Sequence, residues 1–238
     1  IAENDKGILY VLNSILNEGA ADMIDKVLAI AHDDELPMGS KFKEFELFQG
    51  DITSLPFETD LLSAQGIPAT YVGHPLAQAI PMHVDTLKAR HDLKLNPDQP
   101  VVALLPGSRE SEITYLAERF FQTANLLSQQ QPNLQFVLPA MPSMILRIES
   151  IRDKVGASQV QILKGQSHTA LAACDVTLIA SGTATLEAAL FKKPMVIAYR
   201  VAAPTYYMMK RMAYLPWIGL PNILLREFAV PEFVQAAA

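Results

Sequence analysis

The chain has 238 residues, 50% of them hydrophobic and 18% charged, with a formal net charge of -6. This supports a sizeable core and one large domain or one and a half. It excludes a general nucleic-acid binder, because no basic surplus exists to neutralise phosphates. A single cysteine, Cys174, excludes an internal disulfide and suits a reducing compartment. Set among small apolar residues in ALAACDV, it reads as buried and structural. No run approaches the ~20 apolar residues of a membrane span, and the start has no signal-peptide pattern. The chain opens at Ile1 without a methionine and ends in Ala236, Ala237 and Ala238, so both ends are expected to be cut from a longer protein.

In chain order, residues 1–50 differ from the rest. Ile8, Leu9, Leu12, Ile15 and Leu16 fall at helical spacing, as do Met23, Ile24, Val27, Leu28 and Ala31. Asn17, Glu18 and Gly19 separate the two runs, which predicts a helical hairpin. A charged connector over 33–50 follows, and no chemistry is visible in it. From about residue 55 strands and helices alternate. A strand over 69–72 ends in Gly73, His74 and Pro75, and a loop rich in charge and proline runs on to Pro100. Strands are then expected over 101–105, 134–138, 160–163, 176–179 and 195–198. Between them, Ile113, Leu116, Phe120, Ala124 and Leu127 mark one helix face, Ile145, Ile148 and Ile151 another, and 168–173 a short third helix. Continuous apolar strands separated by amphipathic helices predict an α/β fold: a Rossmann-like parallel sheet with helices on both faces, preceded by a short mainly helical segment. The expected division is 1–50, hairpin and connector, and 51–238, the Rossmann-like domain.

Ligands of such sheets bind at the carboxyl ends of the strands, and two turns there carry chemistry-bearing residues. In LLPGSRESEI, Gly107 lets the backbone turn sharply, Ser108 is placed to cap the next helix, and Glu112 to close the box. Arg109 sets a planar double donor beside the helix start, suited to a phosphate or diphosphate. A capped helix with a surface arginine accounts for the same residues. In LIASGTATLEAALFKKPMVIAYR, Ser181, Gly182, Thr183 and Ala184 open a helix between two buried strands. Glu187 follows one turn in, where a carboxylate can accept hydrogen bonds from the two vicinal hydroxyls of a ribose. Close helix–strand packing is the alternative. Two such turns on one sheet favour a nucleotide site. The pattern is neither a Walker A loop nor GxGxxG, so neither NTP hydrolysis nor dinucleotide redox chemistry is favoured.

His74 reads as a turn histidine with a local hydrogen bond, and Asp175 as a strand-end cap. His83, His91 and His168 show no metal-ligand spacing, so no metal is expected. Over 204–217, Tyr206, Tyr207, Met208, Met209, Tyr214 and Trp217 mix with Lys210 and Arg211. Such a segment suits a membrane interface or an acyl chain as well as core or subunit packing.

VGHP, LLPGSRESEI, ASGTATLEAALFKKPMVIAYR and LPNILL, in this order and spacing, resemble lipid-A-disaccharide synthase, over residues 54–235. The resemblance implies the carboxy-terminal, donor-binding half of a GT-B glycosyltransferase, an inverting hexosyltransferase without metal or cofactor. Such enzymes transfer diacylglucosamine from UDP-2,3-diacylglucosamine to lipid X, giving lipid A disaccharide phosphate and UDP. They work as peripheral proteins at the cytoplasmic face of the inner membrane of Gram-negative bacteria, and in some members helices exchange between subunits, so a homodimer is an expectation. By the same resemblance, Gly107, Ser108 and Arg109 form the first diphosphate turn. Ser181, Gly182, Thr183 and Glu187 form the second turn and its ribose-facing acid. Tyr199, Arg200, Pro221 and Asn222 line the nucleotide side, and Glu232 and Gln235 lie near the donor. The family's glycine-rich opening loop, acceptor site and acidic general base have no counterpart in residues 1–50. The base is therefore expected outside this chain, as are the helices that follow residue 235 in the family. A non-catalytic nucleotide-binding or interaction module built from that half is the alternative, and a sugar-nucleotide epimerase of the same shape fits the motifs less well.

Overall fold

The architecture is that of a computed structural model, which describes residues 5–19, 21–23, 51–53, 56–64, 66–71, 74, 76–212 and 215–235. Tyr214 and all but residue 23 of the hairpin's expected second helix lie outside them. The first element is helix α1 (Asp5–Glu18). A small parallel pair, β1 (Asp51–Thr53) and β2 (Ala69–Tyr71), is joined through α2 (Pro56–Ala64). After it come the short helices α3 (Leu76–Ala79) and α4 (Thr86–Asp92).

The main body alternates strand and helix. It runs β3 (Val101–Leu105), α5 (Glu110–Gln130), β4 (Gln135–Ala140), α6 (Ile145–Val155), β5 (Val160–Lys164), α7 (Ser167–Ala173), β6 (Val176–Ala180), α8 (Thr183–Leu190) and β7 (Met195–Tyr199). Helices α9 (Ala203–Met212) and α10 (Leu220–Leu225) lead to the edge strand β8 (Glu232–Val234). The six strands lie in the order β5-β4-β3-β6-β7-β8, and every pairing is parallel. The chain moves outward from β3 in one direction, returns, and continues from β6 in the other. The switch point therefore falls between β3 and β6, where Leu105 stands in register with Ile179.

Both faces of the central strands β3, β6 and β7 are covered, which is why these strands are almost wholly apolar. Side chains alternate. Val102, Leu104, Phe136, Leu138, Leu178, Val196 and Ala198 pack beneath α1, α5 and α6. Val101, Ala103, Leu105, Val137, Ile179 and Ile197 pack with α4, α7 and α8 on the other side. Phe120, Phe121 and Phe136 are fully buried, each stabilising the fold by about 1.5–3 kcal/mol. The amino-terminal helix is part of this core: Leu12 is fully buried, and α1 lies against α5, β6 and β7.

One stretch corrects the sequence reading. The expected loop before Pro100 contains α4, whose first turn is capped by Asp85 accepting from Lys88 N at 2.9 Å. This helix delivers Arg90 into the core. Its guanidinium donates to both carboxylate oxygens of Asp175 (2.8 and 2.7 Å), to Ala173 O (3.0 Å) and to Pro97 O (2.6 Å). Asp175 also accepts from Val101 N at 2.7 Å. The knot closes the amino ends of β3 and β6, opposite the ends that carry the two turns. Cys174 beside it is buried, and desolvation pushes its thiol up to about 12, so it is not a nucleophile.

Candidate functional site

β3 ends at Leu105, and the chain turns through Gly107, whose φ of +114° favours glycine. A Cβ here would run into the Glu112 side chain. Ser108 does not cap α5, contrary to expectation. The residue flanking the helix is Arg109, and the capping group is Glu112, whose Oε2 accepts from Ser108 N (2.9 Å) and Arg109 N (3.1 Å). The longer carboxylate reaches two donors that the serine hydroxyl, one residue too early, does not meet. Glu112 Oε1 also lies 3.3 Å from Arg109 Nη1. The rest of the Arg109 side chain is 81% exposed.

β6 ends at Ala180, and the second turn follows. Gly182 has φ 153° and ψ −168°, a region that residues other than glycine hardly enter. No atom lies within 4 Å of where its Cβ would be. The flanking hydroxyls tie the turn to the frame. Ser181 Oγ donates to Ile218 O at 2.7 Å, and Thr185 Oγ1 to Gly182 O at 2.7 Å. Thr183 begins α8, whose first-turn N–H groups precede the i→i−4 ladder; among them Thr185 N donates to Gly182 O at 3.0 Å. Glu187 lies one turn further, its side chain 20% exposed, with Oε2 3.2 Å from His168 Nε2.

Because β3 and β6 are neighbours, the two turns stand side by side. They share a cleft of about 500 Å³ whose lining also includes Pro139 in β4, Met141 after it, and Gly165 and Ser167 after β5. That size suits a small-molecule ligand. Gly107, Ser108, Arg109, Ser181, Gly182, Thr183 and Glu187 all line it.

The remaining sequence candidates lie elsewhere. Asn222 is buried. It donates to Val230 O (2.8 Å) and Glu232 Oε1 (2.7 Å) and accepts from Val230 N (2.9 Å). Glu232 accepts from Ile218 N (3.0 Å) and Gly219 N (2.9 Å) at the start of α10. Gln235 brackets the backbone of Val201, accepting from its N (2.9 Å) and donating to its O (3.1 Å). Tyr199 donates to Met209 Sδ at 3.8 Å, and Arg200 follows β7 half-buried. Asn222, Glu232, Gln235 and Tyr199 bond within the segment from β7 to β8, and neither they nor Arg200 line the cleft. His74 accepts from Leu76 N at 3.2 Å, a local turn bond. Among the described residues no group of three His, Cys, Asp or Glu is placed to hold a metal ion, and no helix is long and apolar enough to cross a membrane. Helix α9 buries none of its residues, and Tyr207, Met208, Met209 and Met212 stand exposed beside Lys210 and Arg211.

A parallel sheet with this strand order and a cleft at its switch point defines the class: a doubly wound α/β domain of the Rossmann type. The lipid-A-disaccharide synthetase family model matches residues 51–238, and the chain belongs to that family. It is 56% identical over 184 residues to the lipid-A-disaccharide synthase of Albidiferax ferrireducens, covering 77% of this chain and 47% of that protein. It is 58% identical to that of Verminephrobacter eiseniae, with the same coverage. The chain thus spans about half the length of the curated relatives it matches. Among solved structures, the E. coli ADP-heptose LPS heptosyltransferase II is similar over 62% of this chain and 42% of its own, at 15% identity and a TM-score of 0.44.

Proposed function

We propose that this chain is the donor-binding half of a lipid-A-disaccharide synthase of the GT-B kind, and that its cleft holds the UDP portion of UDP-2,3-diacylglucosamine. The observation that carries the reading is the meeting of both turns in one cleft at the switch point. In this reading residues 51–238 are the donor domain. Arg109, exposed at the cleft, takes the diphosphate as a bidentate donor. The open turn at Gly182 and the start of α8 bring backbone N–H groups and positive dipole to the same anion. Glu187 accepts from the ribose hydroxyls. An acceptor hydroxyl of lipid X attacks the anomeric carbon with inversion, and the negative charge that builds on departing UDP falls on Arg109 and α8. A preorganised donor of this kind is worth about 10²–10³ in rate. The base that takes the acceptor proton comes from outside this chain. The exposed apolar and basic side chains of α9 suit contact with the anionic surface of the inner membrane, where both lipid substrates reside.

Calorimetry with UDP tests the assignment. Arg109→Ala is expected to lower UDP affinity by about 10–100-fold, the worth of a charged hydrogen-bond pair, with an unchanged melting temperature. A folded Arg109→Ala variant with undiminished UDP affinity overturns it.

A further inference from the structure

His168 lies outside every motif the family resemblance rests on, yet it touches the acid of the second turn. It is the second residue of α7, directly after Ser167, which lines the cleft. Its Nε2 stands 3.2 Å from Glu187 Oε2, and its ring lies 5.4 Å from that of Phe191, tilted by 60°. Phe191 caps the carboxyl end of α8, one turn after Glu187. Phe191 is buried, so it gives the imidazole a fixed wall while the nitrogen reaches the carboxylate.

A glutamate side chain has three rotatable bonds, and immobilising one on binding costs affinity. A neighbour that holds the carboxylate before the ligand arrives removes part of that cost. The contact engages Oε2 and leaves Oε1 with its lone pairs for donors in the cleft.

We propose that His168 is a positioning residue: it fixes the Glu187 carboxylate so that this acid reads a vicinal diol of the ligand. The proposal rests on the reading of the cleft as a UDP site, and it names the residue that sets ribose recognition there. It differs from a merely structural role in what it moves. Losing a fold contact weakens all ligands alike, whereas losing the alignment of Glu187 weakens only ligands that carry both hydroxyls.

The experiment measures binding of UDP and of 2′-deoxy-UDP by calorimetry to the unaltered chain, His168→Phe and His168→Gln. His168→Phe keeps a ring against Phe191 and removes the nitrogen, so the fold is retained. It is expected to lower UDP affinity about fivefold, the order of one modest polar contact, and to leave 2′-deoxy-UDP affinity within about twofold. The preference for UDP shrinks accordingly, and His168→Gln, which restores a donor, recovers part of it. Equal UDP preference in His168→Phe and the unaltered chain overturns the proposal, and if Arg109→Ala still loses affinity the UDP reading stands without it. Absence of UDP binding by the unaltered chain overturns both.

Discussion

The turn after β3 and the turn after β6 look alike in sequence, each a glycine among small or polar residues ahead of a helix, and they are built in opposite ways. The first is closed. Glu112 folds back onto Ser108 N and Arg109 N and packs against Gly107, so the anion that such a turn attracts is already supplied by the chain. What it presents outward is a guanidinium. The second is open. Gly182 faces empty space, and Ser181 and Thr185 spend their hydroxyls on backbone carbonyls beneath the turn. What it presents is bare backbone and room. On the proposed reading, a cleft with one side-chain cation and one open helix start would take an anion from two sides without crowding it. Two identical cradles would compete for the same charge.

This contrast can be broken by substitution. Gly107→Ala is expected to be the most destabilising change, by about 3 kcal/mol, because it adds overpacking against Glu112 to an unfavourable φ. Chemical denaturation measures it, and in a Glu112→Gly background, which removes the Cβ that the new methyl would meet at 2.5 Å, Gly107→Ala should lose its overpacking part. Gly182→Ala meets no atom and carries the backbone strain alone, about 1–2 kcal/mol. A loss as large as that of Gly107→Ala would mean the second turn is not open. Glu112→Ala ranks last, at about 1 kcal/mol, the usual worth of a helix cap. The two N–H groups it releases are exposed and pass to water. An unshifted denaturation midpoint would show that the carboxylate does not hold the turn.

Much of the framework was legible because both-face burial leaves a plain signature. The strands at 101–105, 160–164, 176–180 and 195–199 are apolar runs with few polar interruptions, and the stripe from Ile113 to Leu127 marks α5. Helix α4 was not legible. It is short, flanked by prolines and largely charged, and its burial rests on Arg90, whose partner Asp175 lies 85 residues away. The edge strand β8 is three residues long, too short to show a period. The candidate site divided along the same line. Residues at the tips of the central strands met in the cleft, because sheet topology alone brings those tips together. Asn222, Glu232 and Gln235 turned inward to backbone groups. A polar residue in a family motif looks the same whether it meets a ligand or a carbonyl. The contact of His168 with Glu187 had no signal, since it joins two helices whose approach depends on the packed sheet.

The placement of α1 has a consequence for how the chain is made. Leu12 leaves the ribosome before Val196 and Ala198 of strand β7, which share its core cluster roughly 180 residues later in the chain. At about 5–20 residues per second the helix waits about ten to forty seconds with an apolar face uncovered. Until β7 arrives, α1 presents a sticky stripe, and the seam that covers it joins two segments far apart along the chain.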